Sequence, residues 1–269
     1  MLNRIIIAIL GIPLLTYLYY SGGIPLLIFV NLIVAVGLFE FYTMIENSGK
    51  KVYKTLGIIF GIMVPNIMFF NIPLENSEIL IILSMILMVM RVLRNETENS
   101  SSEIGVTLLG VVYVSMFFSH MLLISRFPNG GKLILSIQVL VWVCDSFAYF
   151  TGVKFGRKFF EKGFSQISPK KSVEGAIGGA FFTIVVLYII NKFFNVFPTE
   201  ISIMSVIFLG IIISVTVQVG DLVESMFKRE FKIKDSSRIL GEHGGILDRF
   251  DSLIFLLPAV YYTLKYLIL

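Results

Sequence analysis

Nine long apolar runs divide this chain, at about 5–20, 24–45, 55–72, 78–93, 104–125, 133–153, 174–191, 201–220 and 251–269. A helix that crosses a bilayer needs roughly 20 mostly apolar residues. Of the 269 residues, 56% are apolar and only 15% charged, where an ordinary soluble domain carries about 25% charged residues. A water-soluble core cannot bury runs on this scale. The expected fold class is therefore all-α: a polytopic integral membrane protein with about nine transmembrane helices, several short or broken near a cytoplasm-facing polar cavity. One continuous membrane domain is expected, with N-terminal helices over 1–130 and C-terminal helices over 131–269 that carry the polar segments. The first run follows only MLNR and lacks a small-residue cleavage site, so it reads as a retained span rather than a signal peptide.

The distribution of charge supports this count. With nine spans, one face receives the N-terminus and the segments 46–54, 91–103, 154–173 and 221–250, which hold 18 of the 22 Lys and Arg residues. The other face keeps Arg126, Lys132, Lys192 and Lys265. By the positive-inside rule the first face is cytoplasmic, with the N-terminus inside and the C-terminus outside. Basic cytoplasmic loops also account for the net charge of +4 without a nucleic-acid partner. The single cysteine, Cys144, excludes an intrachain disulfide, and no metal-type cysteine spacing exists. No internal repeat supports an inverted-repeat transporter. The Ser-rich stretch NETENSSSE at 95–103 reads as a mobile loop.

Four polar features interrupt the runs. In DSFAYFTGVKFGRKF, Asp145 is an ionisable residue at or near membrane depth, either a site residue or a helix-end carboxylate in water. Gly152 and Gly156 form a small-xxx-small pair that reads first as packing. In SPKKSVEGAIGG, Ser172 is a candidate cap for the following helix and Glu174 sits in its first turn. Lys170 and Lys171 beside that helix N-terminus suit an anion, although a basic pair next to a span also serves as a topology signal. Asp221, Glu224, Ser225 and Lys228 share one helix face as the eighth run ends.

The fourth feature is SMFKREFKIKDSSRILGEHGGILDRFD, residues 225–251. Asp248 and Asp251 lie on one face of a helix, and the Gly244–Gly245 pair permits a tight turn whose amides can approach phosphate. Lys228, Arg229, Lys232, Lys234 and Arg238 add positive charge upstream. Asp221 and Asp248 offer hard oxygens to Mg²⁺, while Lys and Arg groups neutralise phosphate. Two histidines cannot build a His-rich zinc site, so magnesium-and-phosphate chemistry is what these side chains suit.

The order Ser225-x-x-Lys228-Arg229, then Lys234-Asp235, then His243-Gly244-Gly245-x-x-Asp248-Arg249-x-Asp251 resembles the signature of the integral-membrane phosphatidate cytidylyltransferases, also called CDP-diacylglycerol synthases. Asp145-x-x-Ala148-Tyr149-x-x-Gly152 and Ser168-Pro169-x-Lys171-Ser172-x-Glu174-Gly175 resemble the same family. The resemblance implies the reaction of CTP with phosphatidic acid to give CDP-diacylglycerol and pyrophosphate, with Mg²⁺ required and room for a second cation. It implies catalytic roles for Asp221, Asp248, Lys228 and Arg249, and metal binding by Asp221, Asp248 and Asp251. Substrate binding is expected of Lys170, Lys171, Ser172, Arg229, Lys234, Asp235, Gly244, Gly245, Asp145 and Tyr149. His243 is expected either to bind phosphate or to order the turn. The implied partners are CTP, phosphatidic acid and membrane lipid, with room for a homodimer through membrane helices. The implied location is a bacterial inner (plasma) membrane, with the site facing the cytoplasm. A CTP-dependent kinase of a polyprenol-type lipid and an ion-coupled transporter are the competing readings.

Overall fold

The computed structural model describes the chain apart from Met1, residues 161–162, 198–200, 238, 240, 242–243 and 269, and apart from the side chains of residues 2–10. The expected roles of Arg238 and His243 thus fall outside the described residues. Among the described residues, helices account for 78% and strands for none. The long helices are α1 Leu2–Ser21, α2 Gly23–Asn47, α3 Lys54–Phe70, α4 Asn76–Leu93, α5 Ser100–Ile124, α6 Gly130–Phe155, α7 Val173–Phe194, α8 Ile203–Glu230 and α9 Leu247–Ile268.

Each apolar run lies on one of these helices. Among the described residues seven, α2 and α4 to α9, are long and apolar enough to cross a membrane; nine spans were expected. The apolar helix α3 stops at 17 residues. Helix α5 contains a π-helical turn at Val111–Met116. Outward-facing Ile28, Leu32, Met85, Met88 and Val92 are exposed, as suits helices whose solvent is lipid. The protein is an integral membrane protein.

The chain forms two compact bodies. The first comprises Met1–Gly22, Ile124–Phe227 and Asp251–Leu269; the second comprises Gly23–Leu123 and Lys228–Phe250. In the first, α6 and α7 form the most extensive packing. Small residues set their approach: a Cβ on Gly175 would lie 2.6 Å from the Ala148 carbonyl oxygen, and one on Gly179 would lie 2.9 Å from that of Cys144. The Phe147 and Phe182 rings stack with centroids 3.8 Å apart. On the other side of α6, the Tyr19 hydroxyl of α1 donates to Gln138.

In the second body, α2, α3 and α5 close around Tyr42. Its ring lies against Gly57 and Gly110, and its hydroxyl donates to the Thr107 carbonyl at 2.7 Å. The stretch 95–103, expected as a loop, is gathered around one side chain. Buried Arg91 pairs with Glu96 and Glu103 and donates to the Glu98 carbonyl and the Ser100 hydroxyl. Ser100 already begins α5. A guanidinium withdrawn from water needs these acceptors, and meeting that need folds the loop around it.

Candidate active site

The α6–α7 crossing decides what stands beside the N-terminus of α7. Ser172 caps that helix, its hydroxyl accepting from the Gly175 amide at 3.1 Å. Its oxygen would lie 3.2 Å from a Cβ on Gly152, so the glycine lets the capped end approach α6. The preceding segment is folded back on itself. Glu174 is buried and accepts from the Phe159 and Phe160 amides at 2.9 and 3.0 Å, while Arg157 donates to the Pro169 carbonyl. The Phe164 amide donates to the Lys171 carbonyl at 2.9 Å. Sequence reading gave Glu174 a dipole role; the structure adds that its carboxylate fastens the basic loop to α7.

A cavity of about 520 Å³ opens at this junction. Asp145, Tyr149 and Gly152 of α6 line it with Lys170, Lys171 and Ser172, and α8 contributes Gln218 and Asp221. Lys171 forms an ion pair with Asp221. Asp145 lies within electrostatic range of Asp221, Asp251 and Lys171. The first body thus gathers residues that lie far apart in the chain: three carboxylates, a basic pair and a capped helix N-terminus. Gln218 was not anticipated. It sits one turn before Asp221, is buried, and donates to the Ala176 carbonyl at 3.3 Å. An amide in the apolar run preceding Asp221 was the available signal.

The second body holds the loop that precedes α9. Asp248 is in the first turn of α9. Its Oδ1 accepts from Lys228 Nζ at 2.9 Å. Its Oδ2 accepts from the Ser236 amide and hydroxyl, both at 2.9 Å, and from the Gly245 amide at 2.8 Å. The two glycines make room for these bonds. Gly244 has φ +76°, and a Cβ there would meet Asp248 Oδ2 at 2.5 Å; one on Gly245 would meet the Ser236 hydroxyl at 2.0 Å. Arg229, Lys234, Asp235 and Arg249 are exposed. Phe231 packs on Phe41, and Phe250 packs on Phe29 and Phe118, so both ends of the loop are anchored.

A residue missed by sequence reading also meets this loop. Glu40 of α2 is 1% exposed. Its Oε1 accepts from the Ser237 hydroxyl at 2.5 Å and the Ile246 amide at 3.0 Å. Its Oε2 accepts from the Leu247 amide at 2.8 Å and the Ser236 hydroxyl at 3.3 Å. A carboxylate inside a strongly apolar run is a functional signal by itself, and it was available in VNLIVAVGLFEFY.

Asp221 and Asp251 thus belong to the first body, and Asp248 and Lys228 to the second. Among the described residues, no three His, Cys, Asp or Glu side chains converge as a metal cluster.

Residues 2–267 match the model of the cytidylyltransferase family. A phosphatidate cytidylyltransferase of Bacillus subtilis (strain 168) is 32% identical over 269 residues, covering 98% of this chain and 97% of its own. One from Staphylococcus aureus (strain COL) is 36% identical over 270 residues, with 96% and 95% covered. Another, from Staphylococcus haemolyticus, is 36% identical over 263 residues, with 96% of each chain covered.

Proposed function

The chain belongs to the cytidylyltransferase family, and on that premise we propose that it is a phosphatidate cytidylyltransferase: CTP and phosphatidic acid react to CDP-diacylglycerol and pyrophosphate. The observation that carries this reading is the family match along residues 2–267, with near-full-length relatives that bear that name. Neither the lipid-kinase nor the transporter reading draws support from those relatives.

In the proposed reaction a phosphate oxygen of phosphatidic acid attacks the α-phosphorus of CTP. The bond from that phosphorus to the oxygen bridging to the β-phosphorus breaks, and pyrophosphate leaves with the electron pair. The nucleophile is already an anion near neutral pH, so the protein's main task is to bring two polyanions together. Lys170, Lys171 and the capped end of α7 offer positive charge in the cavity of the first body, and Lys228, Arg229 and Arg249 offer it in the second. Tyr149 and Val153 line the cavity while largely exposed on a membrane helix, which suits lateral entry of a substrate whose acyl chains stay in lipid.

Mg²⁺ fits the available donors. Asp221 and Asp251, each in electrostatic range of Asp145, offer hard oxygens. In Asp248, Oδ1 carries the Lys228 contact while Oδ2 carries three hydrogen bonds. A cation that takes one or two carboxylates and completes its shell with phosphate and water matches such sparse ligation. When bound, it supplies positive charge to the phosphate oxygens. The proposal includes CTP arriving from the cytoplasm, a cytoplasmic N-terminus, residence in a bacterial plasma membrane, and a homodimer through membrane helices.

The test uses purified protein in detergent–lipid micelles with Mg²⁺, labelled CTP and phosphatidic acid, following CDP-diacylglycerol and pyrophosphate together. Both products are expected in equal amounts, and EDTA should abolish both. CDP with a phosphorylated lipid would replace this reading with a kinase; folded protein that binds CTP without turnover would remove it.

A further inference from the structure

Glu40 carries a role that the signature residues do not contain. It lies in α2, separated in sequence by 196 to 207 positions from the four groups that bond to it. A carboxylate this buried persists only when its oxygens are satisfied. Here two of its donors are the Ile246 and Leu247 amides, at the start of α9, where helix N–H groups lack an intrahelical acceptor. The other two are the hydroxyls of Ser236 and Ser237, in the middle of the loop. Glu40 therefore ties the middle of the loop and its junction with α9 to one point on α2.

The same network reaches Asp248. The Ser236 hydroxyl contacts Glu40 at 3.3 Å and Asp248 at 2.9 Å. Between the carboxylates runs the Gly245 backbone, where a Cβ would lie 2.6 Å from both Glu40 oxygens. Two negative groups thus face one short stretch of loop from two sides and divide its donors. With 1% of its surface exposed, Glu40 touches no substrate.

We propose that Glu40 is a positioning residue for the signature loop: it caps α9 from α2, fixes Ser236, and so sets the orientation of Asp248. The inference that this affects turnover rests on the cytidylyltransferase reading. The affected ligand chemistry is phosphate, since Asp248 and its partner Lys228 form the charged end of the loop.

The experiment compares wild type, Glu40→Gln, Ser237→Ala and the double variant in detergent–lipid micelles. An amide can accept at one oxygen only, so Glu40→Gln turns an NH₂ toward donors. In protein that remains folded by size exclusion and melting, kcat is expected to fall roughly tenfold or more, with KM for CTP changed by less than about threefold. Deuterium uptake in the peptide covering Gly245–Asp248 should rise, while uptake in the α6–α7 crossing stays the same. A merely stabilising residue would lower the melting temperature without altering kcat per folded molecule. The losses in kcat should not multiply in the double variant, because both changes break one network. Wild-type kcat and unchanged loop exchange in folded Glu40→Gln would overturn the proposal, as would losses that multiply. If Glu40→Gln fails to fold, Ser237→Ala decides: a kcat severalfold below wild type supports the role, and wild-type kcat overturns it. An inactive wild type would sink the enzymatic reading instead, and loop exchange would still test the positioning.

Discussion

Lys171 pairs with Asp221 where the side chains are 32% and 34% exposed, whereas Lys228 and Asp248 are 16% and 10% exposed. An ion pair as open as the first contributes about 0–1 kcal/mol to stability. Breaking a buried pair by removing one partner costs about 3–5 kcal/mol, because the other charge is left uncompensated. Asp248→Ala would also release three donors of the loop. Lys171→Met is therefore expected to leave the melting temperature nearly unchanged while CDP-diacylglycerol formation falls about tenfold or more. Asp248→Ala should lower both, and Asp248→Asn should keep much of the stability while losing the activity. Equal destabilisation by Lys171→Met and Asp248→Ala would show that the cavity pair is structural. These residues were legible in the sequence because each is an ionisable group at the edge of an apolar run. Glu40 carried the same signal, but its partners lie some 200 residues downstream. No local pattern distinguishes such a carboxylate from one at a wet helix end.

At the scale of the helix pair, the α6–α7 crossing places the basic loop beside Asp145. A Cβ on Gly175 would stand 2.6 Å from a backbone oxygen and 3.3 Å from the Gly152 Cα, so a side chain there must push backbones apart. Gly105 in α5 has nothing within 4 Å of the same position. Gly175→Ala is expected to destabilise by about 1–3 kcal/mol through overpacking and to cut activity by displacing Lys171 and Ser172. Gly105→Ala should be neutral or gain up to about 1 kcal/mol from helix propensity. Melting curves and turnover for both variants check this; equal tolerance would mean that the crossing can open without consequence. The small-xxx-small spacing of Gly152 and Gly156 showed that α6 packs closely. It did not show against what, because several helices offer small residues and periodicity contains no pairing information. Helix ends were less legible than helix positions. The eighth apolar run ends near residue 220, yet α8 continues to Glu230, since Glu, Met, Lys and Arg extend a helix as readily as apolar residues do.

For the whole molecule, the orientation in the membrane turns on α3. At 17 residues it is about 26 Å long, slightly short of a hydrocarbon core of roughly 30 Å. Local bilayer thinning or snorkelling of Lys54 at its start can make up such a deficit at modest cost. If α3 crosses, the segments 94–99, 156–172 and 231–246 share the side of residues 48–53, and the basic residues gather on one face. If it does not, every later connection changes sides and the basic loops divide between faces. The charge asymmetry therefore argues that a helix too short by its length alone still crosses. Cys144 is fully buried and provides a quiet background for thiol labelling. Ser101 and Arg126 are exposed near opposite ends of α5. With an impermeant maleimide on intact cells, Arg126→Cys should label and Ser101→Cys should label only after permeabilisation. The reverse pattern would mean that α3 lies along the membrane surface. It would also turn the cavity between α6, α7 and α8 away from the cytoplasmic CTP that the proposed reaction needs.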